Sequence, residues 1–182
     1  MKKLLISLAC LFSASVMAAP SVIFETSMGN FTIELDSEKA PVTTKNFLSY
    51  VEDGSYEGTI FHRVIPGFMA QGGGFDTDMK KVAANKPIKN EASNGLKNRV
   101  ATIAMARTSD PDSATRQFFI NYNDNDFLDY KESANPGYAV FGKVTEGFEN
   151  VQKMAKQPTK SLGRYHDVPA TAIVINKVTV KK

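Results

Sequence analysis

Short runs of alternating apolar and polar residues recur along the chain, and this period-two pattern predicts strands. Runs at 22–25 and 31–35 flank the sequence Ser-Met-Gly-Asn at 27–30, which is typical of a hairpin. The remaining predicted strands are 59–65, 68–71, 101–106, 117–121, 139–144 and 172–180. Three glycines at 72–74 are interpreted as a turn that ends the strand 68–71.

Two segments have the spacing of amphipathic helices. The first is predicted to open at Pro41 and to end before Gly54, and its buried face comprises Thr44, Phe47, Leu48 and Val51. Thr145 is predicted to cap the second helix. Its first turn is predicted to hold the acids Glu146 and Glu149. Its predicted buried face comprises Phe148, Val151 and Ala155. Many short strands with only two helices favour a closed or nearly closed β-barrel with helical lids.

The start of the chain predicts a cleavable signal peptide. A basic start precedes an apolar run at 4–12 that is too short to span a bilayer. Small residues at 16–18 then fit a signal peptidase site, and cleavage is predicted after Ala18, because cutting one residue later would leave proline first. The alternative is that this segment remains as a membrane anchor. The sequence therefore predicts a signal peptide, 1–18, and one exported domain, 19–182.

Composition excludes several classes of function for that domain. Apolar residues make up 42% of the chain and charged residues 23%, as in ordinary globular proteins. The formal net charge of +3 falls to +1 once the two lysines of 1–18 are removed, which is too near neutral to indicate nucleic-acid binding. The only cysteine, Cys10, lies in the signal segment, so no thiol or disulfide is expected to carry the function. We expect a monomer that needs no cofactor and, after cleavage, has no contact with a membrane.

Residues 61–73 hold the most informative chemistry and read Phe-His-Arg-Val-Ile-Pro-Gly-Phe-Met-Ala-Gln-Gly-Gly. Alternation along a strand places Arg63 on one face with Ile65, and Met69 on one face with Gln71. Such a face presents a cation, an amide and an apolar pocket to one ligand. The segment holds no nucleophile and no cluster of metal ligands, which indicates a function without bond cleavage.

Several motifs in order resemble the cyclophilin family of peptidyl-prolyl cis–trans isomerases, and most of all its periplasmic bacterial members. They are 61–73, Met105 with Ala106, 117–120, 127–129 and 140–144, and the similarity runs from about Val22 to Val180. The resemblance implies a mainly β fold, a closed antiparallel eight-stranded β-barrel capped by two α-helices. It also implies an enzyme that accelerates rotation of X–Pro bonds in secreted polypeptides as they fold.

The resemblance further implies roles for individual residues. Arg63 would be the catalytic donor that stabilises the twisted amide, Gln71 would bind the substrate backbone, and the main-chain N–H of Arg107 would bind the residue before proline. The proline pocket would be lined by Phe68, Met69, Phe119 and Leu128. The other substrate-binding residues would be Ala106, Gln117, Phe127 and Tyr138.

The sequence departs from the best-known cyclophilins at three positions. Phe127 stands where many have tryptophan, Tyr138 where many have histidine, and Arg107 where asparagine is common. Because phenylalanine lacks the indole N–H, we expect weak binding of cyclosporin. The loop 107–116 is about one residue longer than usual. If it folds over the groove, Arg107 and Arg116 would favour substrates with acidic residues near the proline; the alternative is that both arginines are solvated.

The function has one alternative interpretation, and the histidines and acids of the sequence have interpretations of their own. The runner-up function is a binding module or chaperone of the same fold, in which proline recognition matters and turnover does not. His62, next to Arg63 in a strand, is interpreted as a structural, hydrogen-bonded residue, and His166 as an incidental loop residue. The acids Asp124, Asp126, Asp129 and Glu132 lack the spacing of a calcium loop, so no metal is expected.

Overall fold

The computed structural model describes residues 19–181, apart from the side chain of Ser133, and the predicted signal peptide lies outside them. The barrel strands are β1 Ser21–Thr26, β2 Gly29–Leu35, β3 Thr59–Ile65, β4 Met69–Asp76, β5 Thr102–Met105, β6 Phe118–Asn121, β7 Val140–Glu146 and β10 Ile173–Lys181. The helices are α1 Pro41–Glu52 and α2 Phe148–Met154, and a separate hairpin is formed by β8 Thr159–Leu162 and β9 Tyr165–Pro169. Among these residues, no helix combines the length and apolar character needed to cross a bilayer.

The eight strands close into one antiparallel barrel. Their order around it is β1-β10-β3-β4-β6-β5-β7-β2, and pairing of β2 with β1 completes the ring. The predicted fold class, an eight-stranded barrel with two helices, is confirmed. The predicted first hairpin is also present, because Thr26 pairs with Gly29 and leaves a two-residue turn between β1 and β2.

Helix α1 begins at Pro41, as predicted, but the free backbone N–H groups of its first turn donate to a residue outside the helix. Ala40 at the cap position offers no side-chain acceptor. Instead, the Glu91 carboxylate accepts hydrogen bonds from the backbone N–H of Val42 at 3.1 Å and of Thr43 at 2.8 Å. A carboxylate at this end also complements the helix dipole, so a distant loop residue replaces the local cap.

The predicted start of α2 was wrong. Thr145 and Glu146 belong to β7, and the helix begins only after Gly147, which adopts a left-handed φ of +75°. A Cβ atom there would lie 2.3 Å from the Asn30 carbonyl oxygen, so only glycine fits this close approach to β2. Strand β7 therefore continues past Thr145 to Glu146, and the chain turns at Gly147. Val151 is buried as predicted, Phe148 and Ala155 are partly buried, and Met154 adds to the same face.

The turn predicted at 72–74 was also wrong, because the three glycines lie inside β4. Gly73 has φ +82°, and a Cβ atom there would lie 2.8 Å from both the Phe118 and the Tyr56 side chains. The pairing of β3 with β4 shifts register in this region. The glycines thus allow a bulged strand to pass close to the aromatic core.

Alternation along β6 separates two apolar clusters and so positions the site. Phe118 and Ile120 point into the barrel, where the large aromatic core residues are Phe24, Phe31, Phe47, Tyr56, Phe61, Phe118 and Phe141. Phe119 points the other way and joins a smaller cluster outside the barrel with Met69, Ala104, Leu128 and Val140. This second cluster forms the apolar floor of the cavity described next.

Candidate active site

One row of paired residues crosses four strands and carries the site's chemistry. Arg63 in β3 pairs with Gln71 in β4, which pairs with Phe119 in β6, which pairs with Ala104 in β5. Cross-strand partners project from the same face of a sheet. The barrel's register therefore places a guanidinium, an amide and an aromatic ring side by side on its outer face.

A cavity of about 140 Å³ opens beside this row. Its lining residues are Arg63, Phe68, Met69, Gln71, Ala106, Arg107, Phe119, Leu128 and Tyr138. All nine were predicted from the sequence as site residues, and the structure brings them around one space. Met69, Phe119 and Leu128 are buried and form the apolar wall, while the two arginines and the glutamine supply the hydrogen-bond donors.

The two remaining predicted site residues lie next to the cavity and do not line it. Gln117 accepts a hydrogen bond through Oε1 from Gln71 Nε2 at 2.9 Å, so it orients the amide that faces the cavity. Phe127 is 61% exposed, and its ring centroid lies 5.6 Å from that of Phe68. It therefore extends the rim beyond Phe68.

Arg107 is held along the wall of the cavity. Its Nε donates to the Gly137 carbonyl at 2.9 Å, and its guanidinium carbon lies 4.3 Å from the centre of the Tyr138 ring. The Tyr138 ring in turn meets Phe119 edge-on, with 5.7 Å between centroids. Within residues 19–181 the backbone N–H of Arg107 donates no hydrogen bond, which leaves it available to a ligand.

Both alternatives for Arg116 were wrong, because it neither flanks the groove nor is solvated. This side chain is 2% exposed and donates to the backbone carbonyls of Ser55, Gly73 and Ala83. A lone charged side chain in the core is rare, and nothing in the local sequence pattern distinguishes it from a solvated loop arginine. With Arg116 inside the protein, any preference for acidic substrates would depend on Arg63 and Arg107 alone.

Arg63 has a charged neighbour that the sequence did not predict. Its Nε lies 3.7 Å from Oδ2 of Asp167, and the two side chains are 43% and 40% exposed. Asp167 lies in β9, a segment that was interpreted as a loop around His166. The hairpin β8–β9 was missed because its short strands are mostly exposed and polar, so they lack an apolar period.

His62 is buried behind the site and does not line the cavity. Its ring packs 4.5 Å from that of Phe75, and its Nδ1 has no hydrogen-bond partner among the described residues, so the predicted hydrogen bond is absent at that atom. Burial, and then the nearby Arg63 cation, lower the pKa of His62 to about 4. The ring is therefore neutral at pH 7, in keeping with a structural role.

We expect the free energy of unfolding to depend on pH through His62. Because its folded pKa of about 4 lies below the ordinary value of 6.5, the unfolded state binds more protons between these values. The contribution is complete above about pH 6.5 and is lost as pH falls, by roughly 2 kcal/mol at pH 5. Urea titrations at several pH values between 7.5 and 5 give the free energy of unfolding at each pH. This free energy should fall less steeply with decreasing pH for His62→Gln than for the wild type. An equal pH dependence in the two proteins would contradict the assignment of the low pKa to His62. The matched control is His166→Gln, which changes an exposed histidine.

Three of the four acids that resemble a calcium cluster in the sequence have other partners. Asp124 and Asp126 both contact Arg99, at 3.2 and 2.6 Å. Asp129 accepts a hydrogen bond from the backbone N–H of Asn98 at 2.8 Å. No group of three or more potential metal ligands occurs within residues 19–181.

A larger crevice of about 410 Å³ lies elsewhere, between β2, β5 and β7. It contains charged side chains of both signs, including Glu34, Glu38, Lys97 and Lys143. None of the motif residues at 61–73 reaches it. The smaller cavity is therefore the candidate site, because it alone combines the apolar wall with Arg63 and Gln71.

Fold and cavity together define a β-barrel protein whose cavity places an apolar wall beside amide and guanidinium donors, with no nucleophile among the lining residues. Residues 21–180 match the family model for cyclophilin-type peptidyl-prolyl cis–trans isomerases. The chain belongs to this family, and it is a peptidyl-prolyl isomerase. The enzyme class and fold predicted from the sequence are thus confirmed.

Three relatives show how far the similarity extends. Peptidyl-prolyl cis-trans isomerase A of Dickeya dadantii is 54% identical over 173 residues, covering 94% of this chain and 90% of the relative. Peptidyl-prolyl cis-trans isomerase B of Escherichia coli is 50% identical over 163 residues, covering 88% and 99%. A cyclophilin-type isomerase of Cryptosporidium parvum, solved in the presence of the dipeptide Ala-Pro, superposes with a TM-score of 0.77 at 30% identity, covering 89% of this chain and 99% of its own.

Proposed function

We propose that this isomerase accelerates X–Pro rotation in secreted polypeptides as they fold in the periplasm, and that Arg63 stabilises the twisted amide above the apolar pocket. The observation that carries the site assignment is the cross-strand row that puts Arg63 and Gln71 beside Phe119. The use of an Ala-Pro dipeptide with the Cryptosporidium relative supports a proline ring as the ligand of this pocket.

The stabilisation that such a site must supply to accelerate X–Pro rotation is modest, and the reaction involves no covalent step. Rotation about a peptide bond is opposed by a barrier of about 18–20 kcal/mol, and uncatalysed X–Pro exchange takes roughly 10–100 s. Shortening this to about 1 ms requires roughly a 10⁵-fold acceleration, or about 7 kcal/mol of differential stabilisation. Binding the twisted amide more tightly than the planar one supplies it.

Each side of the cavity has a part in this mechanism. Phe68, Met69, Phe119 and Leu128 would hold the proline ring, while Gln71, oriented by Gln117, would hold the substrate backbone. As the amide twists, the prolyl nitrogen regains its lone pair and becomes a hydrogen-bond acceptor. The Arg63 guanidinium would then donate to it. Arg107 is less suited to this part, because its Nε already donates to Gly137.

The proposed location depends on the first eighteen residues. A signal peptide there would deliver the domain to the periplasm, and cleavage after Ala18 would leave a protein without cysteine. Cell fractionation together with N-terminal sequencing tests this. We expect the protein in the periplasmic fraction with Ala19 as its first residue. Retention of 1–18 in a membrane fraction would support an anchor instead.

Refolding of a secreted protein tests the proposed physiological role. The substrate should have a slow folding phase that is limited by X–Pro isomerisation, and substoichiometric enzyme should accelerate that phase. Arg63→Ala serves as the control, because it keeps the apolar pocket and removes the donor. A slow phase that shortens only at stoichiometric protein, and equally with Arg63→Ala, would favour the binding module or chaperone over the enzyme.

We expect cyclosporin to bind weakly and the Phe127→Trp variant to bind it more tightly. Phe127 lies at the rim beside Phe68, and tryptophan would add an indole N–H donor. One hydrogen bond contributes about 0.5–1.5 kcal/mol, which corresponds to as much as roughly tenfold in affinity. Calorimetric titration of both proteins measures the difference. Equal dissociation constants would show that Phe127 does not contact the drug.

A further inference from the structure

The Arg63–Asp167 contact joins the site to the hairpin β8–β9, which lies outside the barrel. Among residues 19–181, Asp167 is the only acid within ion-pair distance of the Arg63 guanidinium. The contact is made at Nε, at 3.7 Å. The guanidinium makes no hydrogen bond to any described side chain or backbone group, so its terminal Nη groups remain free to donate.

The hairpin is built in a way that presents this carboxylate. Strand β9 packs beside β3. Its Tyr165 ring meets Phe75 of β4 edge-on, at 5.2 Å between centroids, and its Val168 is buried. Between these two anchors, Asp167 adopts a left-handed φ of +59°. Aspartate and asparagine accept this conformation more readily than most residues. The reversal turns the Asp167 side chain toward Arg63.

We propose that Asp167 is a positioning residue, which holds the Arg63 guanidinium by its Nε edge and leaves the Nη groups directed at the substrate. This inference rests on the proposed role of Arg63 in stabilising the twisted amide. An arginine side chain has several rotatable bonds, and a donor that must be in place before the amide twists benefits from being held. The planar guanidinium allows one edge to be anchored while the other donates.

The expected effect is small because the pair is partly exposed. Ion pairs of this kind usually contribute 0.2–1 kcal/mol, so Asp167→Asn should lower kcat/KM by about 1.4- to fivefold. Asparagine keeps the shape of the side chain and tolerates positive φ, so the hairpin should remain folded. Asp167→Gly, which suits the same backbone conformation and removes the side chain, should give a similar loss.

A double-mutant cycle separates positioning from a structural role. The four proteins are wild type, Asp167→Asn, Arg63→Ala and the double variant, assayed with a proline peptide at enzyme concentrations raised in proportion to the lost activity. We expect Asp167→Asn to lower kcat/KM in the wild-type background and to have no further effect once Arg63 is alanine. Asp78→Asn is the control, since Asp78 forms an exposed pair with Lys80 at 3.6 Å and lies outside the cavity.

A spectroscopic readout accompanies the kinetics. The Arg63 Nε–H resonance, assigned by its loss in Arg63→Ala, should show restricted motion in the wild type and greater motion in Asp167→Asn. An unchanged resonance with unchanged kcat/KM, or an equal loss of activity in both Arg63 backgrounds, would overturn the positioning role. Wild-type activity in Arg63→Ala would instead overturn the proposed role of Arg63 itself, so the two failures are distinguishable.

Discussion

Replacing Arg63 with alanine is expected to lower kcat/KM for a proline peptide by about 10²–10³-fold, the usual cost of losing one positioned donor. The fold should survive, because the side chain is 43% exposed and packs at the edge of the cavity. The loss should appear in turnover more than in peptide affinity, since the donor acts mainly on the twisted amide. Exchange kinetics and peptide titration measure the two quantities.

Two further variants sharpen this prediction. Arg63→Lys should also be impaired, because an ammonium group cannot reproduce the planar arrangement of guanidinium donors. Arg107→Ala is the matched control: it removes the other arginine of the same cavity, one whose Nε is already engaged by Gly137, and it should cost much less activity. If Arg63→Ala turned over within threefold of the wild type, the mechanism proposed above would be wrong.

Replacing the buried Arg116 with alanine is expected to lower the free energy of unfolding by about 3 kcal/mol or more. Arg116 Nε donates to the Gly73 carbonyl at 2.6 Å, and its other nitrogens donate to Ser55 and Ala83. Its guanidinium carbon also lies 5.0 Å from the centre of the Tyr50 ring. Alanine would leave three carbonyls without their donor, each at a cost of about 1–3 kcal/mol where water cannot replace it.

Urea denaturation of purified variants measures this loss. Arg116→Lys should recover part of the stability, because it keeps the charge and reaches fewer carbonyls. Arg99→Ala is the surface control, since that side chain is half exposed and, among residues 19–181, pairs only with Asp124 and Asp126. A change within about 1 kcal/mol is expected there. A similarly small change for Arg116→Ala would show that water replaces the buried donors.

The barrel could be predicted because its strands obey local rules. Alternation indicated the faces of the strands, and the residues at 27–30 indicated the first hairpin, whose turn the structure narrows to the two residues between Thr26 and Gly29. Pro41 marked the start of α1 correctly, although the group that satisfies that helix end, Glu91, comes from a distant loop. No local pattern could reveal such a partner, because the contact exists only once the chain has folded.

The incorrect predictions share a physical cause. The glycines at 72–74 suggested a turn and Gly147 fell within the first turn of a predicted helix. Instead, Gly73 is required by the close approach of the Phe118 and Tyr56 side chains, and Gly147 by the close approach of β2. Arg116 has the sequence context of a surface residue and is buried by the fold. In each case tertiary packing overrides the local preference, and a single sequence carries no signal of it.

The candidate site was largely predictable because motif order and strand register act together. The resemblance supplied the residues, alternation placed Met69 and Gln71 on one face of β4, and the pairing of β4 with β6 brings Phe119 beside Gln71. The contact of Asp167 with Arg63 could not be predicted, because Asp167 lies within a hairpin that lacks an apolar period and approaches Arg63 only through packing of β9 beside β3. Its proximity to the cavity emerges from the fold alone.

Magnetisation exchange between the cis and trans forms of a proline peptide is the most direct test of the central claim. It detects X–Pro rotation itself, without a coupled protease or a folding substrate. Substoichiometric wild-type protein should accelerate exchange strongly, while Arg63→Ala at the same concentration should bind the peptide and accelerate it far less. Binding of the peptide by the wild type without faster exchange would contradict the account.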